Sequence, residues 1–465
     1  MGATSTSFTA GSQRLRRDPG ILDIRSAGPL LGRPARTILP VMDRLLVTGG
    51  PRLSGAVAIG GAKNSALKVM AASLLADGRT TIRNVPDIAD CRTMADVLER
   101  LGAGVARRDH EVEIDASGSL DMETPYELVR RMRASILVLG PLLARRGRAR
   151  VAMPGGCNIG RRKIDLHIRG LQRLGVEFTY DHGYLVGEVP AGLRGAVVSL
   201  DFPSVGATEN LLMAAVAARG TTVIENAARE PEIQDLAWFL TLMGARIDGV
   251  GTPTIEIEGA EAFRAVTHTV IPDRIEAGTF AIAACVTGGD VLLRGARADH
   301  LDLVLAKLEE VGARIGQEED GVRVALDGRP RAVDLVTLPY PGFPTDLQPP
   351  IMAVLSSAEG TSIVTENVFE SRFMFVDELN RMRADIRTEG HHAVIRGVGR
   401  LEAAPVRALD LRAGAALILA ALAADGVTEI ADVDHVDRGY EDVDAKLTAL
   451  GAEVSRQPSL SPALA

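Results

Sequence analysis

One glycine-rich stretch combines a cysteine with a run of basic residues. Residues 154–168 read PGGCNIGRRKIDLHI, so Cys157 is followed within six positions by Arg161, Arg162 and Lys163. Nearby cations stabilise a thiolate and lower the pKa of a cysteine from about 8.5 toward neutrality. Such a thiol can donate or accept a proton and can attack carbon. The pattern predicts a reactive thiol in a loop.

Other readings of the cysteines use the same physical rules. A lone cysteine can be an inert buried thiol, and we expect this of Cys91 and Cys285, which lie in apolar helical runs. A cysteine hydrolase would pair Cys157 with His167, but no residue near His167 in the sequence is placed to orient its imidazole. The glycine-rich basic setting favours a functional Cys157.

A second candidate is the segment GGAKNSAL at 60–67, which predicts a helix that begins at Lys63 and Asn64 directly after a strand. Free backbone N–H groups and the helix dipole favour an anion at such a position. The segment lacks the GxxxxGK[ST] spacing of a nucleotide P-loop. On this segment alone, a solvated surface lysine remains an equal alternative.

The second half of the chain supplies further polar candidates. Arg412 and Arg438 lie near predicted element ends beside aspartates, where they can form an anion clamp or ordinary ion pairs. Asp346 follows a proline-rich turn and suits a catalytic base or a helix N-cap. The segments 204–210 and 366–374 read as turns that enter helices. The sequence alone leaves these alternatives open.

An internal repeat must position these residues. An apolar helix, a small-residue or glycine stop and a β-branched strand recur six times, at 72, 142, 214, 283, 354 and 420. A second helix stop recurs every 68 to 73 residues, at Gly102, Gly175, Gly244, Gly312, Arg383 and Gly451. The period predicts an α/β protein of six units, each strand–helix–strand–helix–strand, grouped as two lobes of three. Ligands of two-lobed proteins bind preferentially between the lobes.

Composition excludes several function classes. The chain has 465 residues, too many for one ordinary core, and its 46% apolar content is that of a folded protein. Aromatic residues make up 3% and the net charge is −8, which argues against nucleic-acid binding. No apolar run reaches the roughly 18 to 20 residues of a membrane span. Three scattered cysteines indicate a reducing compartment, so we expect a cytoplasmic protein.

The two ends of the chain differ from the repeats. Residues 1–41 are rich in Ser, Gly, Pro and Arg without a helix or strand period, and we expect a disordered extension. The extension matches a myristoylation signal and a transit peptide only weakly. We instead expect an extension without a role, or a true start at Met42. Residues 457–465 are expected to form a flexible tail.

Ten motifs carry a resemblance to a known family. They are, in chain order, GGAKN, MRASI, PGGCNIG, SVGATEN, ENAAREPEI, PDRIEAGTF, FPTD, FESRFM, DLRAGAAL and DRGYE. Between Met42 and Arg456 the chain resembles the UDP-N-acetylglucosamine 1-carboxyvinyltransferase family of enolpyruvyl transferases. The resemblance implies a two-lobed inside-out α/β barrel: lobe 1 at 42–61 and 272–456, and lobe 2 at 62–271 with a lid loop at 154–165.

The resemblance also implies a reaction and its residues. The 3'-hydroxyl of UDP-N-acetylglucosamine displaces phosphate from phosphoenolpyruvate in the first committed step of peptidoglycan synthesis, which serves cell shape, cell division and the cell cycle. Cys157 is the implied general acid and fosfomycin target, and Asp346 the implied base. Lys63, Arg162, Arg412 and Arg438 hold phosphate and carboxylate, with Lys63 and Arg438 also catalytic. The implied UDP-sugar residues are Asn64, Arg133, Arg162, Lys163, Ile164, Asp165, Leu166, Ser204, Val205, Gly206, Asp346 and Val368. No metal or cofactor is implied.

Departures from the family pattern are few. Phe202 stands where some members have a lysine before the serine of SVGAT, and Lys163 stands where proline is frequent. Arg383 replaces a repeat glycine. The alternatives are the sister enzyme that makes enolpyruvylshikimate phosphate, a low-activity or non-catalytic paralogue that binds UDP-N-acetylglucosamine, and a purely structural repeat protein.

Overall fold

The structure is a computed structural model that describes Gly2 and residues 43–124, 126–153 and 164–458. The predicted extension at 1–41, the residues Cys157, Arg162 and Lys163, and the chain beyond 458 lie outside the described residues. One boundary of the expected flexible tail is wrong, because Gln457 and Pro458 belong to the last strand and pair with the first.

The chain begins with one strand that belongs to the last unit and continues into three units of similar build. The elements to residue 258 are β1 (Asp43–Thr48), β2 (Ser54–Ala58), α1 (Lys63–Ala72), β3 (Arg79–Arg83), α2 (Ala89–Arg100), β4 (Gly104–Arg108), β5 (Glu111–Asp115), α3 (Tyr126–Arg131), α4 (Leu139–Arg146), β6 (Arg148–Ala152), α5 (Asp165–Arg173), β7 (Glu177–Asp181), β8 (Tyr184–Glu188), β9 (Val197–Ser199), α6 (Val205–Ala215), β10 (Thr221–Glu225), α7 (Pro231–Met243), β11 (Arg246–Asp248) and β12 (Thr254–Glu258).

Three further units follow. Their elements are β13 (Thr267–Thr269), α8 (Arg274–Thr287), β14 (Asp290–Arg294), α9 (Asp302–Val311), β15 (Arg314–Glu318), β16 (Gly321–Ala325), β17 (Leu335–Thr337), α10 (Gln348–Ser357), β18 (Thr361–Glu366), α11 (Val376–Arg381), β19 (Asp385–Glu389), β20 (His392–Arg396), β21 (Leu401–Glu402), β22 (Val406–Arg407), α12 (Leu411–Ala423), β23 (Ala424–Asp425), β24 (Val427–Ala431), α13 (Val443–Ala449) and β25 (Glu453–Pro458). Short 3-10 helices span Ser73–Leu75, Arg133–Val138, Ala298–His300, Thr345–Leu347 and Val433–Arg438.

The period of the predicted repeat is confirmed, but the predicted unit contains one strand fewer than the observed unit. Five of the units end in a β-hairpin, such as β4 and β5, where the sequence predicted a single strand. The hairpin was missed because β4 is largely exposed and polar, and its turn lies at Asp109 with a φ of 49°. In the sixth unit β1 takes the place of the missing hairpin strand, between β24 and β25.

The helix stops adopt the conformation that the repeat predicts. Each of the five glycines named above has a positive φ between 93° and 118°. Arg383, the exception in the sequence, takes the same left-handed conformation with a φ of 68°. A side chain there is strained relative to glycine but leaves the turn in place, because the helix still needs a left-handed residue to end.

Buried apolar side chains form two separate clusters. Core 1 draws its members from residues 45–59 and 275–452, and core 2 from residues 62–270. The first helices of the units lie inside: every residue from Arg274 to Val286 of α8 is buried, and α8, α10 and α12 pack on one another. In core 2, α4 packs on α6 in the same way. The sheets lie around these helices.

Two strands are exchanged between the halves. β2, the first strand of unit 1, pairs in parallel with β14 of unit 4, and β13, the first strand of unit 4, pairs in parallel with β3 of unit 1. The chain therefore crosses between core 1 and core 2 twice, after β2 and after β13. Both crossings lead directly into helices, α1 and α8, whose first residues bear charged side chains.

Candidate active site

Lys63 is the first residue of α1, as the sequence predicts. The helix has no side-chain N-cap, and the Lys63 backbone N–H donates to Asp273 Oδ2 at 3.1 Å. Asp273 also caps α8 by accepting from the N–H groups of Ile275 and Glu276 at 2.7 and 3.1 Å. One carboxylate thus joins the starts of the two helices that follow the crossings. Lys63 is buried, which removes the alternative of a solvated surface lysine.

Asp90 connects Lys63 with Arg438. Lys63 Nζ lies 2.7 Å from Asp90 Oδ2, and Arg438 Nε lies 3.0 Å from Asp90 Oδ1. Lys63 and Asp90 belong to helices of core 2, whereas Arg438 ends a 3-10 helix packed in core 1. Sequence reasoning missed Asp90, because an acidic residue in the first turn of a helix is ordinary and its two partners are remote in sequence.

The charges of this group act on one another. Burial lowers the pKa of Lys63, Asp90 opposes that effect, and the nearby positive charges of Arg412 and Arg438 lower it further. Burial alone would raise the pKa of Asp90, but Lys63 and Arg438 outweigh it, so the pKa lies below its usual value. The Lys63 ammonium therefore lies near other cations and loses its proton at a lower pH than a free lysine does.

Asp346 is held between two arginines. It lies within the 3-10 helix Thr345–Leu347, where Oδ1 accepts from Arg372 at 3.1 Å and Oδ2 accepts from Arg412 at 3.0 Å. The N-cap position of α10 is Leu347, so the N-cap alternative for Asp346 is wrong. Arg372 is 2% exposed and was not singled out as a site residue from the sequence. Its position in the motif FESRFM is the sequence feature that could have identified Arg372 as a site residue.

Arg412 is buried in the first turn of α12. Asp410 caps that helix by accepting from the N–H groups of Arg412 and Ala413 at 2.8 and 3.0 Å. The guanidinium carbon lies 5.2 Å from the centre of the Tyr440 ring. Burial opposes the charge of Arg412, but Tyr440 and Asp346 outweigh it and raise its pKa. Arg412 therefore remains a permanent cation without access to bulk water.

Glu366 fixes the turn that carries Val368. Its Oε1 accepts from the N–H groups of Val368 and Phe369 at 2.8 and 3.0 Å, and its Oε2 accepts from the Thr345 hydroxyl at 2.9 Å. Glu366 is buried. It thereby connects the 3-10 helix of Asp346 with the Val368 turn, and sequence reasoning did not identify it.

The remaining described candidates begin two helices of core 2. Ser204 caps α6 by accepting from the Ala207 N–H at 3.3 Å, and Val205 and Gly206 form the first turn, as predicted. Ile164 precedes α5, which starts at Asp165 and Leu166. Asn64 is half-buried in the first turn of α1.

Three cations thus converge from both cores. A Cβ on Gly439 would lie 3.2 Å from Lys63 Cδ and 2.7 Å from Leu411 Cδ2, so the backbone next to Arg438 lies close to Lys63 and to the residue before Arg412. Lys63 and Arg438 share Asp90, and Arg372 and Arg412 share Asp346, so the cations outnumber the carboxylates with which they pair. The arrangement is suited to a ligand with several negative charges. The side chain of Arg133, like Cys157, Arg162 and Lys163, lies outside the described residues.

One cavity in the described structure lies away from these residues. It has a volume of about 550 Å³ and is lined by the acidic residues Asp299, Asp302, Glu318, Glu319 and Asp320. An acidic lining repels the anions that the Lys63 group would attract. The described residues contain no helix long and apolar enough to span a membrane, and no group of His, Cys, Asp and Glu that could hold a metal ion.

Comparisons with known proteins give the chain a family. A model of the EPSP synthase (3-phosphoshikimate 1-carboxyvinyltransferase) family matches residues 47–447. A UDP-N-acetylglucosamine 1-carboxyvinyltransferase of Gluconacetobacter diazotrophicus is 55% identical over 417 residues, which cover 89% of this chain and 99% of that protein. One of the same name from Geobacter metallireducens is 51% identical over 415 residues, with coverages of 89% and 99%.

Solved structures give the fold. The enolpyruvyl transferase NikO from Streptomyces tendae superposes with a TM-score of 0.83 at 28% identity and covers 90% of this chain and 100% of its own. An EPSP synthase from Acinetobacter baumannii superposes with a TM-score of 0.69 at 18% identity, with coverages of 89% and 100%. The latter similarity concerns the fold alone. The predicted two-lobed inside-out α/β barrel is confirmed.

Proposed function

The chain belongs to the UDP-N-acetylglucosamine 1-carboxyvinyltransferase family and is an enolpyruvyl transferase, and we propose that the residues described above carry its reaction. The 3'-hydroxyl of UDP-N-acetylglucosamine adds to the enol carbon of phosphoenolpyruvate while a proton enters the methylene carbon. Elimination of phosphate, with loss of a proton from the new methyl group, restores the double bond and gives the enolpyruvyl ether. This reaction begins peptidoglycan precursor synthesis.

The convergence of Lys63, Arg412 and Arg438 supports this assignment of roles. Phosphoenolpyruvate carries up to three negative charges, and addition at the enol carbon keeps them all in one intermediate. Buried, preorganised cations stabilise such charge without reorganisation during the reaction. Arg412 and Arg438 belong to core 1 and Lys63 to core 2, so the site is complete only when both halves are in place.

The proposed proton transfers use Asp346 and Cys157. Asp346 accepts the proton of the sugar hydroxyl, and its two arginine contacts hold the carboxylate oxygens in place. Cys157 donates the proton to the methylene carbon, supported by the basic residues that follow it in the sequence. Lys63 and Arg438 hold the phosphate that leaves.

The proposed UDP-sugar site is formed by segments of core 2 with Asp346 and Val368 of core 1. The segments are Asn64 of α1, Arg133, residues 162–166 and residues 204–206 at the start of α6. Phe202, 39% exposed just before α6, stands where some family members have a lysine, so we propose that an apolar side chain replaces one cationic contact to the nucleotide. We further propose the lobe boundaries 42–61 with 272–456 and 62–271, which the two buried clusters support.

The decisive test is phosphate release from the purified protein. Phosphoenolpyruvate and UDP-N-acetylglucosamine together should release phosphate, whereas either substrate alone should not. Absence of release above the single-substrate controls would contradict the transferase and favour a paralogue that only binds the nucleotide sugar. The site of the reaction is proposed to be the cytoplasm.

Substitution of the cysteine tests the proposed acid. Cys157→Ser should reduce turnover by two or more orders of magnitude, an estimate from the usual contribution of general acid catalysis of about 10²- to 10⁴-fold. It should also abolish covalent labelling by fosfomycin, measured by mass spectrometry of the intact protein. The matched control is Cys285→Ser, because Cys285 is buried in α8 and burial raises the pKa of its thiol to about 12. Equal labelling of both variants would refute the assignment of Cys157.

A further inference from the structure

Asn210 lies in the interior of core 2 and contacts three separate elements. It belongs to α6, four residues after Gly206, and is fully buried. Its Oδ1 accepts from the Gly140 N–H at 2.9 Å, and its Nδ2 lies 3.2 Å from the Ile136 carbonyl oxygen and 2.9 Å from His167 Nδ1. Both ends of the amide are therefore used.

The first contact is with a helix junction. The 3-10 helix Arg133–Val138 passes into α4 at Leu139, and the Leu139 N–H donates to the Ile136 carbonyl in the 3-10 pattern. In a regular α-helix the Gly140 N–H would donate to that same carbonyl. The amide of Asn210 instead bridges the two groups, accepting from one and donating to the other. The side chain thus sets the geometry of the junction.

Close approach of the two helices makes this bridge possible. A Cβ on Gly140 would lie 2.6 Å from the Asn210 carbonyl oxygen and 3.0 Å from Oδ1. A glycine at this place on α4 is therefore required for α6 to come near enough. The junction, and with it the start of the 3-10 helix at Arg133, is fixed to α6.

The second contact is with the start of α5. His167 is buried in the first helical turns, directly after Asp165 and Leu166. A Cβ on Gly206 would lie 3.1 Å from His167 Cε1, so the ring lies against Gly206. Residues four apart share a helix face, so Gly206 and Asn210 together hold the imidazole.

The hydrogen-bond pattern indicates which tautomer a neutral His167 adopts. A backbone N–H can only donate and a carbonyl oxygen can only accept, so Gly140 and Ile136 determine which end of the amide is oxygen and which is nitrogen. The amide nitrogen facing His167 must then donate, which leaves Nδ1 as the acceptor and places the proton on Nε2. A second proton on Nδ1 would oppose an N–H donor.

We propose that Asn210, acting through His167, is a positioning residue that preorganises the nucleotide-sugar side of the active site. The inference rests on the proposed function, since three of the proposed UDP-sugar segments begin at the elements that this amide joins. These are the 3-10 helix at Arg133, the start of α5 at Asp165 and the start of α6 at Ser204. Lys63, Arg412 and Arg438, which we propose to bind phosphoenolpyruvate, pair with Asp90 and Asp346 rather than with this amide.

Asn210→Asp tests the positioning role with almost no change in shape. The carboxylate still accepts from Gly140 but repels the Ile136 carbonyl and requires a proton on His167 Nδ1. The KM for UDP-N-acetylglucosamine should rise about ten-fold or more, the usual effect of one or two unsatisfied buried groups, with the KM for phosphoenolpyruvate within about two-fold. The affinity for UDP-N-acetylglucosamine alone, measured by calorimetry, should fall by the same factor.

A matched control is available in core 1. The amide of Asn380 in α11 also bridges backbone groups, donating to the Ile386 carbonyl at 2.9 Å and accepting from its N–H at 3.1 Å. Asn380→Asp should lower the melting temperature comparably and leave both Michaelis constants unchanged. If Asn210→Asp changed both constants equally or neither, the positioning role would be wrong.

A second pair of variants covers the case in which Asn210→Asp does not fold. His167→Leu removes the acceptor and should raise the KM for UDP-N-acetylglucosamine, whereas His167→Gln restores an acceptor and should recover much of the affinity. Equal KM values for the Leu and Gln variants would overturn the inference. Failure of the unsubstituted protein to release phosphate would instead refute the proposed function.

Discussion

At the scale of single residues, the site is governed by cations that share carboxylates. Lys63 and Arg438 meet on Asp90, while Arg372 and Arg412 meet on Asp346. Each carboxylate offsets part of the repulsion between its cations, so a charged cluster can exist in a buried place. A bound anion would neutralise the excess charge that remains.

Removal of the Asp90 charge should be visible in the pH dependence. Asp90 raises the pKa of Lys63 against burial, so Asp90→Asn should lower that pKa further. Since the charged lysine binds the anion, activity falls as pH rises through its pKa. The alkaline limb of kcat/KM for phosphoenolpyruvate should therefore move to lower pH by about one unit or more.

The control for this change is close in sequence. Asp87→Asn removes an exposed carboxylate that pairs with Arg92 at 2.8 Å. Its pH–rate profile should match that of the unsubstituted protein. If the two variants gave the same alkaline limb, Asp90 would not tune Lys63.

At the scale of elements, helix starts carry most of the chemistry. α1 begins with Lys63, α6 follows Ser204 and α12 begins beside Arg412, and Asp346 lies in a 3-10 helix before α10. Helix starts present unpaired N–H groups and a partial positive charge. The inner helices are mostly apolar, and several of their charged residues lie in the first turn, although Lys68 of α1 and Glu209 of α6 lie further along.

Close packing of α8 against the 3-10 helix of Asp346 gives a test at this scale. A Cβ on Gly278 would lie 2.3 Å from Leu347 Cδ1, and Leu347 is fully buried. Gly278→Ala should therefore displace the neighbour of Asp346, lower the free energy of unfolding by about 1–3 kcal/mol and reduce kcat. Denaturant unfolding followed by circular dichroism and the phosphate-release assay measure the two effects.

Gly399→Ala is the matched control, because a Cβ there meets no atom within 4 Å and its φ is not positive. It should leave both stability and kcat unchanged. Equal effects of the two substitutions would show that the packing of α8 on Leu347 does not hold Asp346.

At the scale of the whole molecule, charged residues connect two separate cores. Arg274 at the start of α8 pairs with Glu232 of α7 at 3.0 Å, and Asp90 of α2 pairs with Arg438. The exchanged strands β2 and β13 join the same halves through the backbone. The Asp90–Arg438 contact therefore couples the two halves at the proposed phosphoenolpyruvate site.

A buried carboxyl group in core 2 should make global stability depend on pH. Burial raises the pKa of Glu209 to about 8, although Lys68 lies 3.5 Å away and opposes the shift. Between about pH 4.5 and 8 the folded state keeps a proton that the unfolded state has lost. The free energy of unfolding should therefore fall as pH rises through this window, by up to about 1.4 kcal/mol per pH unit.

Glu209→Gln removes this proton linkage. The difference in free energy of unfolding between the variant and the unsubstituted protein should shift in favour of the variant as pH rises from 5 to 8, in denaturant titrations at fixed ionic strength. The control Glu256→Gln changes an exposed residue of β12 and should follow the unsubstituted protein. A pH-independent difference for Glu209→Gln would contradict a protonated Glu209.

The sequence alone determined the repeating architecture and the family. Glycine placement and apolar spacing within a few residues determine three local features. These are the period of about 70 residues, the left-handed helix stops and the helix start at Lys63. The polar hairpin strands such as β4 were not predicted from the sequence, because exposed strands lack the apolar alternation that identifies a strand.

The tertiary structure alone decided which side chains meet. Asp90 and Arg438 are 348 residues apart, Asp346 and Arg412 are 66 apart, and Asn210 and Gly140 are 70 apart. The sequence around a carboxylate or an amide does not indicate which residue it contacts, because the contact depends on how helices from different units pack. The exchange of β2 and β13, which brings the helix starts of the two halves together, is likewise a property of the assembled sheets.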